Sequence, residues 1–262
     1  MTFKQLVWWI LVTLFVGFSF LYPFINEPEA LMPPPPIKPT STTQAIPDFS
    51  AYEQVVEKKQ AFFDYLRPEV ERQNDYLLNL RLQIQNMQQD YNEKGGLSSL
   101  DGKRLKWLIA EYNIEPDLSI DEQFELLMRR VDIIPADLVL VQAANESAWG
   151  TSRFAQEGYN LFGLWCFRKG CGFVPRRRNS GANHEVAKFD NLSRATYTYM
   201  RNLNRHRAYT QLRDIRRKLR ANQKPITGIA LSEGLMQYSE RGEDYIEELQ
   251  HMIRINREYI TL

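Results

Sequence analysis

The chain has 262 residues, of which 44% are apolar and 12% aromatic; this supports one ordinary domain with attachments and excludes a wholly disordered chain. Its net charge of +1 excludes a protein covered with positive charge, so we expect no nucleic-acid partner. The two cysteines and three scattered histidines show none of the spacings typical of zinc sites. The sequence therefore predicts neither a metal site nor a cofactor.

The amino-terminal part contains an uncharged apolar run from Leu6 to Leu21. Extended to Ile25, the run reaches the roughly 20 residues that a helix needs to cross a bilayer. Lys4 precedes it and Glu27 follows it, which places the amino terminus inside and the rest of the chain outside. We predict a signal anchor over residues 1–25 that crosses the inner membrane once and holds the following domain in the periplasm. A cleaved signal peptide is the alternative, although no small-x-small site follows the run.

A proline-rich linker, residues 26–48, follows the predicted anchor. Its Pro33–Pro36 block favours polyproline II and gives a semi-rigid spacer. Residues 49–100 are predicted to form a helical segment, because apolar residues recur at intervals of three or four from Asp48 to Lys94. Pro68 is expected to interrupt this helix or to start a new one.

Two shorter amphipathic helices are predicted next, over Asp101–Tyr112 and Ser119–Arg130, with the first residue of each as its N-cap. A strongly apolar helix then begins at Pro135 and ends near Gly150. Its side chains are apolar nearly all round, which predicts a helix buried within the fold.

Glu146 lies in the last turn of this buried helix. The negative end of the helix dipole and the apolar surroundings both disfavour an ionised carboxylate there. We therefore expect a raised pKa for Glu146, which is what a general acid working near neutral pH requires. The alternative is a glutamate that caps a neighbour or pairs with an arginine.

The segment around Glu146 reads ANESAWGTSRFAQEGYNLFGLWCF and resembles the signature of the peptidoglycan-cleaving β-N-acetylglucosaminidases of the autolysin and flagellar-muramidase type. The resemblance covers residues 101–262, which we predict to be the glucosaminidase domain. The residues that carry it are Glu146, Trp149, Gly150, Ser152, Phe154, Asn160, Leu161, Phe162 and Gly163.

The resemblance implies a mainly α, α+β fold in which a lysozyme-like helical core carries a small β-hairpin lobe. It also implies a second glutamate on that lobe, which Glu185 matches, and a tyrosine near the cleft, which Tyr238 matches. Breaker residues between Phe173 and Asn191 are consistent with the hairpin. The candidate substrate-binding residues are Trp149, Asn160, Phe162 and Tyr199.

Cleavage of a glycosidic bond needs an acid that protonates the leaving oxygen and a second group that stabilises the oxocarbenium-like centre. Glu146 is the predicted acid. Glu185 could take the second role by activating water, with inversion of configuration. Alternatively, the substrate's own N-acetyl oxygen takes it, with Tyr238 positioning that group and with retention. The sequence leaves this choice open.

Trp165 and Cys166 depart from the shorter relatives, in which a lysine commonly follows the N-L-F-G turn. In an oxidising periplasm we expect Cys166 and Cys171 to form a disulfide that closes a small loop. In a reducing compartment they would be two small apolar residues.

Positive charge is concentrated between Arg153 and Arg220, where 16 basic residues face only four acidic ones. This stretch is either a solvated, arginine-rich helical face or a surface that borders the glycan cleft and meets the free carboxylates of peptidoglycan stem peptides.

Together these observations predict a hydrolase, an endo-β-N-acetylglucosaminidase that cuts the GlcNAc-β-1,4-MurNAc bond of peptidoglycan glycan strands, its expected partner. The alternatives are a lysozyme or lytic-transglycosylase type of muramidase and a non-catalytic peptidoglycan-binding scaffold of the envelope.

Overall fold

The computed structural model describes residues 45–175 and 184–260. There the fold is mainly helical with one small sheet, in agreement with the predicted mainly α, α+β class. The helices are α1 (Val55–Lys94), α2 (Ser99–Glu111), α3 (Ile120–Arg130), α4 (Ala136–Glu146), α5 (Arg153–Gly158), α6 (Leu192–Arg205), α7 (Thr210–Ala221), α8 (Gly228–Ser232), α9 (Glu243–Ile255) and α10 (Arg257–Ile260). None of these helices is long and apolar enough to cross a membrane. The predicted anchor, residues 1–25, lies outside the described residues, as does most of the predicted linker.

The small sheet has three strands, β1 (Trp165–Cys166), β2 (Gly172–Phe173) and β3 (Glu185–Ala187). Their order is β1-β3-β2, and both pairs are antiparallel. The antiparallel β2–β3 pair is the predicted hairpin, and β1 adds a third strand on the other side of β3. Glu185, the first residue of the central strand, lies opposite Cys166.

The longest helix, α1, passes through Pro68 without a break, so the expected interruption at this residue is wrong. Proline costs one backbone hydrogen bond, since it has no N–H to donate to the carbonyl of Asp64. Apolar side chains on both sides of Pro68 are fully buried, and their burial offsets this cost. These side chains are Phe62, Phe63, Leu66 and Val70.

The predicted N-cap is wrong for α2 and confirmed for α3. Ser98, not Asp101, precedes α2, and its hydroxyl accepts the N–H of Asp101 at 3.0 Å. At α3 the hydroxyl of Ser119 accepts the N–H of Glu122 at 3.4 Å, and the carboxylate of Glu122 accepts the N–H of Ser119 at 3.0 Å. These reciprocal bonds satisfy backbone donors that have no partner inside the helix, and so they fix its start.

Helix α4 lies at the centre of the core, as its apolar sequence predicts. Its residues from Leu138 to Ala144 are buried, and α1, α8, α9 and α10 all pack against it. Because α1 shares this core, the predicted helical segment and the chain after residue 100 are packed together. Four helices thus hold α4 in place, and Glu146 is its last helical residue.

Several arginines of the basic stretch are internal and do not form a solvated face. Arg216 is buried and donates to backbone carbonyls at the end of α3 and just after it. Arg220 pairs with the buried carboxylate of Asp132, and Arg81 of α1 lies 3.6 Å from the same group. Arg213 donates to two carbonyls near the end of α6. These side chains satisfy helix ends that would otherwise lack partners.

Candidate active site

A cleft of about 830 Å³ opens where the carboxyl end of α4, the turn after α5, the small sheet and α6 meet. This volume lies within the roughly 300–1,000 Å³ of typical ligand sites. Three of the predicted catalytic and substrate-binding residues line the cleft: Glu146, Phe162 and Tyr238. The other four do not line it: Trp149, Asn160, Glu185 and Tyr199.

Glu146 is half-buried and is held by a chain of three hydrogen bonds. The hydroxyl of Tyr245 donates to Oε1 of Glu146 at 2.8 Å and accepts from Nε2 of Gln142 at 3.1 Å. Oε1 of Gln142 accepts in turn from the hydroxyl of Tyr199. Each of these three hydrogen bonds is donated in the direction of Glu146, so the carboxyl group has a fixed position in the cleft wall.

The pKa of Glu146 is raised above its ordinary value, chiefly because burial disfavours the charged form. The hydrogen bond from Tyr245 lowers this pKa, the charge of Glu248 raises it, and the charge of Arg241 lowers it. The net upward direction agrees with the expectation from the sequence. A carboxyl group of this kind keeps its proton closer to neutral pH and can serve as a general acid.

The N-L-F-G turn lies directly against the carboxyl group of Glu146. Gly163 has a φ of +62°, and a Cβ at this position would lie 3.0 Å from Oε2 of Glu146. Only glycine combines this backbone conformation with so close an approach. Asn160 shapes the same turn: its amide accepts the N–H of Leu164 at 2.9 Å and donates to the carbonyl of Ala187 at 2.9 Å. Asn160 is buried and joins the turn to β3, so its role in the structure is to hold the turn in place.

Stacked aromatic rings support the floor of the cleft. The rings of Phe162 and Tyr199 are parallel, with centroids 4.1 Å apart, and Tyr199 is fully buried beneath. Tyr238 lines the cleft, stacks on Tyr245 at 5.6 Å and donates its hydroxyl to the carbonyl of Phe162 at 2.8 Å. Tyr199 therefore supports Phe162 and does not reach the cleft, in contrast to the expectation for this residue.

Trp149 follows the carboxyl end of α4 and packs against α1. Three consecutive residues with positive φ, from Ala148 to Gly150, reverse the chain immediately after the helix. The indole ring consequently makes edge-to-face contacts with Phe62 and Phe63 of α1, at centroid distances of 5.8 and 5.3 Å. The structure thus places Trp149 in a packing contact and not in the cleft, where the sequence analysis expected it.

Glu185 is buried, with 4% of its surface exposed, and its two oxygens hold the loop between β1 and β2. They accept the N–H groups of Gly170 at 2.9 Å and Gly172 at 2.8 Å. A disulfide between Cys166 and Cys171 closes the same loop. The two sulfurs lie near this carboxylate, but they are bonded to each other and offer no thiolate to a metal ion. The structure does not bring Glu185 and Glu146 to the same cleft, and the catalytic role of Glu185 stays a prediction.

Tyr245, which holds Glu146 directly, and Gln142, which holds Tyr245, were not predicted from the sequence. Gln142 lies four residues before Glu146 and therefore on the same helix face, so helical spacing alone could have identified it. Tyr245 lies 99 residues away on α9, and no local pattern connects it with Glu146.

Two comparisons with known proteins find similar sequences. The family model of the glucosaminidases, described as mannosyl-glycoprotein endo-beta-N-acetylglucosaminidase, matches residues 121–258. "Protein bax" of Escherichia coli (strain K12) is 29% identical over 223 residues, which are 85% of this chain and 78% of that protein. The sequence also resembles the Bax proteins in its apolar amino terminus and long helical segment, and this match confirms that resemblance. No solved structure matches the chain, so the lysozyme-like character of the core stays a prediction.

Proposed function

Because the chain belongs to the glucosaminidase family, whose model covers more than half of it, we propose that it is a peptidoglycan hydrolase of the endo-β-N-acetylglucosaminidase type. The bond that it cleaves would be the GlcNAc-β-1,4-MurNAc bond within the glycan strand. The observation that carries this proposal is a half-buried carboxyl group with a raised pKa, Glu146, on the wall of a cleft large enough for sugar residues. A protein that only binds peptidoglycan has no need for such a group.

Glu146 acts as the general acid. In the protonated form it gives its proton to the glycosidic oxygen while the bond to C1 breaks, and its carboxylate later takes a proton from the attacking water. The turn that carries Gly163 leaves Oε2 accessible beside the cleft, since a larger residue would crowd it. Tyr245 keeps the group in one orientation through its hydrogen bond to Oε1.

For the second role we favour the substrate's own N-acetyl oxygen, with Tyr238 orienting that group. Among the described residues that line the cleft, Glu146 carries the sole carboxylate. The undescribed segment next to β3, residues 176–183, contains no Asp or Glu in its sequence. In this mechanism the acetamido oxygen attacks C1, an oxazoline forms, and water opens it with retention of configuration.

The products of digested sacculi test the proposal. Mass spectrometry should find reducing-end GlcNAc; reducing-end MurNAc would indicate a lysozyme, and anhydro-MurNAc a lytic transglycosylase. Glu146→Gln should fold normally and lose on the order of 10²–10⁴-fold in activity, because a positioned acid contributes about that much. Glu240→Gln, a change at an exposed glutamate, is the matched control. Near-normal activity of Glu146→Gln would remove this residue from the mechanism.

The anomeric configuration of the first product distinguishes the two mechanisms. Proton NMR during early hydrolysis should show the β-anomer of the new GlcNAc end if configuration is retained. Glu185→Gln should then act mainly through the loop that Glu185 holds and should lower stability together with turnover. Release of the α-anomer would support water activation by a second carboxylate and return Glu185 to the catalytic role.

We also propose that residues 1–25 anchor the protein in the inner membrane, with the hydrolase domain in the periplasm. The support is the uncharged apolar run and the charges on either side of it. Fractionation should recover the full-length protein in the membrane pellet, resistant to high salt and released by detergent. Release by salt, or a mature chain that begins after Tyr22, would refute the anchor.

A further inference from the structure

One face of α6 forms a basic wall of the cleft. Arg201, Asn202, Arg205 and His206 line it, together with Thr198 one turn earlier. In the rest of the lining, Glu146 is the sole carboxylate among the described residues. The described lining of the cleft thus contains two guanidinium groups, those of Arg201 and Arg205, against one carboxyl group.

Most of the nearby guanidinium groups are already paired inside the protein. Arg201 forms an ion pair with Glu111 at 2.8 Å, and its guanidinium also lies over the ring of Tyr197. Arg213 and Arg216 are buried and donate to backbone carbonyls. The charge of Arg201 is therefore largely neutralised where it stands, although the residue borders the cleft.

Arg205 differs from these neighbours. It is half-buried in the last turn of α6, it lines the cleft, and within residues 45–175 and 184–260 no carboxylate forms an ion pair with it. His206 follows it, and Nδ1 of this ring accepts the N–H of Ala208 at 3.2 Å. Nε2 is therefore the ring nitrogen that is left to act as a donor, and His206 lines the same cleft as Arg205. An unpaired cation and a second donor together match a carboxylate ligand.

We propose that Arg205 and His206 form a carboxylate-binding subsite. The enzyme then selects glycan strands whose MurNAc residues carry a free carboxylate, either directly or on an attached stem peptide. This inference rests on the proposed function. Two sources supply that chemistry in peptidoglycan. In strands with stem peptides the peptides carry free carboxylates, whereas in peptide-free strands the lactyl group of MurNAc is itself a free carboxylate.

The test compares four soluble substrates made from one glycan preparation. They are strands with stem peptides, the same strands after amidase treatment, and both of these after carbodiimide coupling to ethanolamine, which neutralises the carboxylates. The readout is the ratio of kcat/KM between each native substrate and its neutralised form. We expect a ratio of about five for the wild-type chain, typical of a partly exposed charge contact, and a ratio near one for Arg205→Gln. Arg205→Lys should restore part of the preference, because it keeps the charge.

Arg207→Gln is the matched control, because Arg207 is exposed, lies two residues away and does not line the cleft. It should keep the wild-type ratio. A preference confined to amidase-treated strands identifies the lactyl carboxylate, and one confined to peptide-bearing strands identifies the stem peptides. The inference is overturned if the wild-type ratio is one, if Arg205→Gln keeps the preference, or if Arg205→Gln slows all four substrates equally. A wild-type chain that releases no reducing-end GlcNAc from any substrate would refute the proposed function instead.

Discussion

Replacing Tyr245 by Phe should shift the pH dependence of hydrolysis to higher pH. The hydroxyl donates to Oε1 of Glu146 at 2.8 Å and so stabilises the ionised carboxylate, which lowers its pKa. A hydrogen bond to a charged group contributes about 1.5–3 kcal/mol, and the part of this energy that is lost when the carboxylate is protonated sets the size of the pKa shift. Tyr245→Phe should therefore raise the pKa of Glu146. Because the acid must be protonated, the high-pH limb of the profile moves upward with it.

The assay is kcat/KM for release of reducing ends from soluble glycan strands, measured across the high-pH limb. Tyr197→Phe is a matched control, since Tyr197 is also a buried tyrosine that donates to a glutamate, Glu111, but does not line the cleft. That variant should be less stable without a shift of the limb. A limb for Tyr245→Phe that stays in place or moves to lower pH would refute the assignment of Glu146 as the acid held by Tyr245.

Two further variants test the turn and the buried ion cluster. Gly163→Ala should lower kcat more than tenfold and destabilise the fold by about 1–2 kcal/mol, because φ is +62° and the added Cβ would lie 3.0 Å from Oε2 of Glu146; activity equal to wild type would contradict the close approach. Asp132→Asn should cost about 3–5 kcal/mol of unfolding free energy at pH 7, since it leaves the buried guanidinium group of Arg216, and those of Arg81 and Arg220, without this counter-charge. Burial raises the pKa of Asp132, but the hydrogen bond from Arg220 and the charges of Arg216 and Arg81 outweigh it and lower the net value. This contribution is therefore present above the ordinary Asp pKa and is lost as pH falls through the folded value, so urea unfolding of the two proteins should converge in acid.

The parts of the site that depend on residues within one or two helical turns could be predicted from the sequence. The apolar run of α4, with Glu146 in its last turn, follows from the sequence pattern, although the structure has the helix end at Glu146 and not near Gly150. The start of α3 follows from Ser119 and Glu122, which form reciprocal bonds three residues apart.

The direction in which aromatic side chains face could not be predicted in this way. Trp149 packs on Phe62 and Phe63, which belong to a helix more than 80 residues earlier in the chain. Tyr199 donates to Gln142, 57 residues away, and is fully buried. Trp149 belongs to the sequence signature around Glu146 and Tyr199 lies on α6, but the packing partners of both rings are distant in the chain. A motif identifies which side chains are near the site, whereas packing decides which of them reach it.

The hydrogen-bond chain behind Glu146 also determines which of its oxygens carries the proton. Tyr245 has a single hydroxyl hydrogen, and because it accepts from Nε2 of Gln142, that hydrogen is given to Oε1 of Glu146. Oε1 thus acts as an acceptor in this arrangement, which leaves Oε2 as the oxygen for the acidic proton. Oε2 is the oxygen that faces Gly163 of the N-L-F-G turn, at the cleft. The residues that the sequence motif supplies therefore surround the oxygen that gives up the proton, and the long-range partners hold the other oxygen.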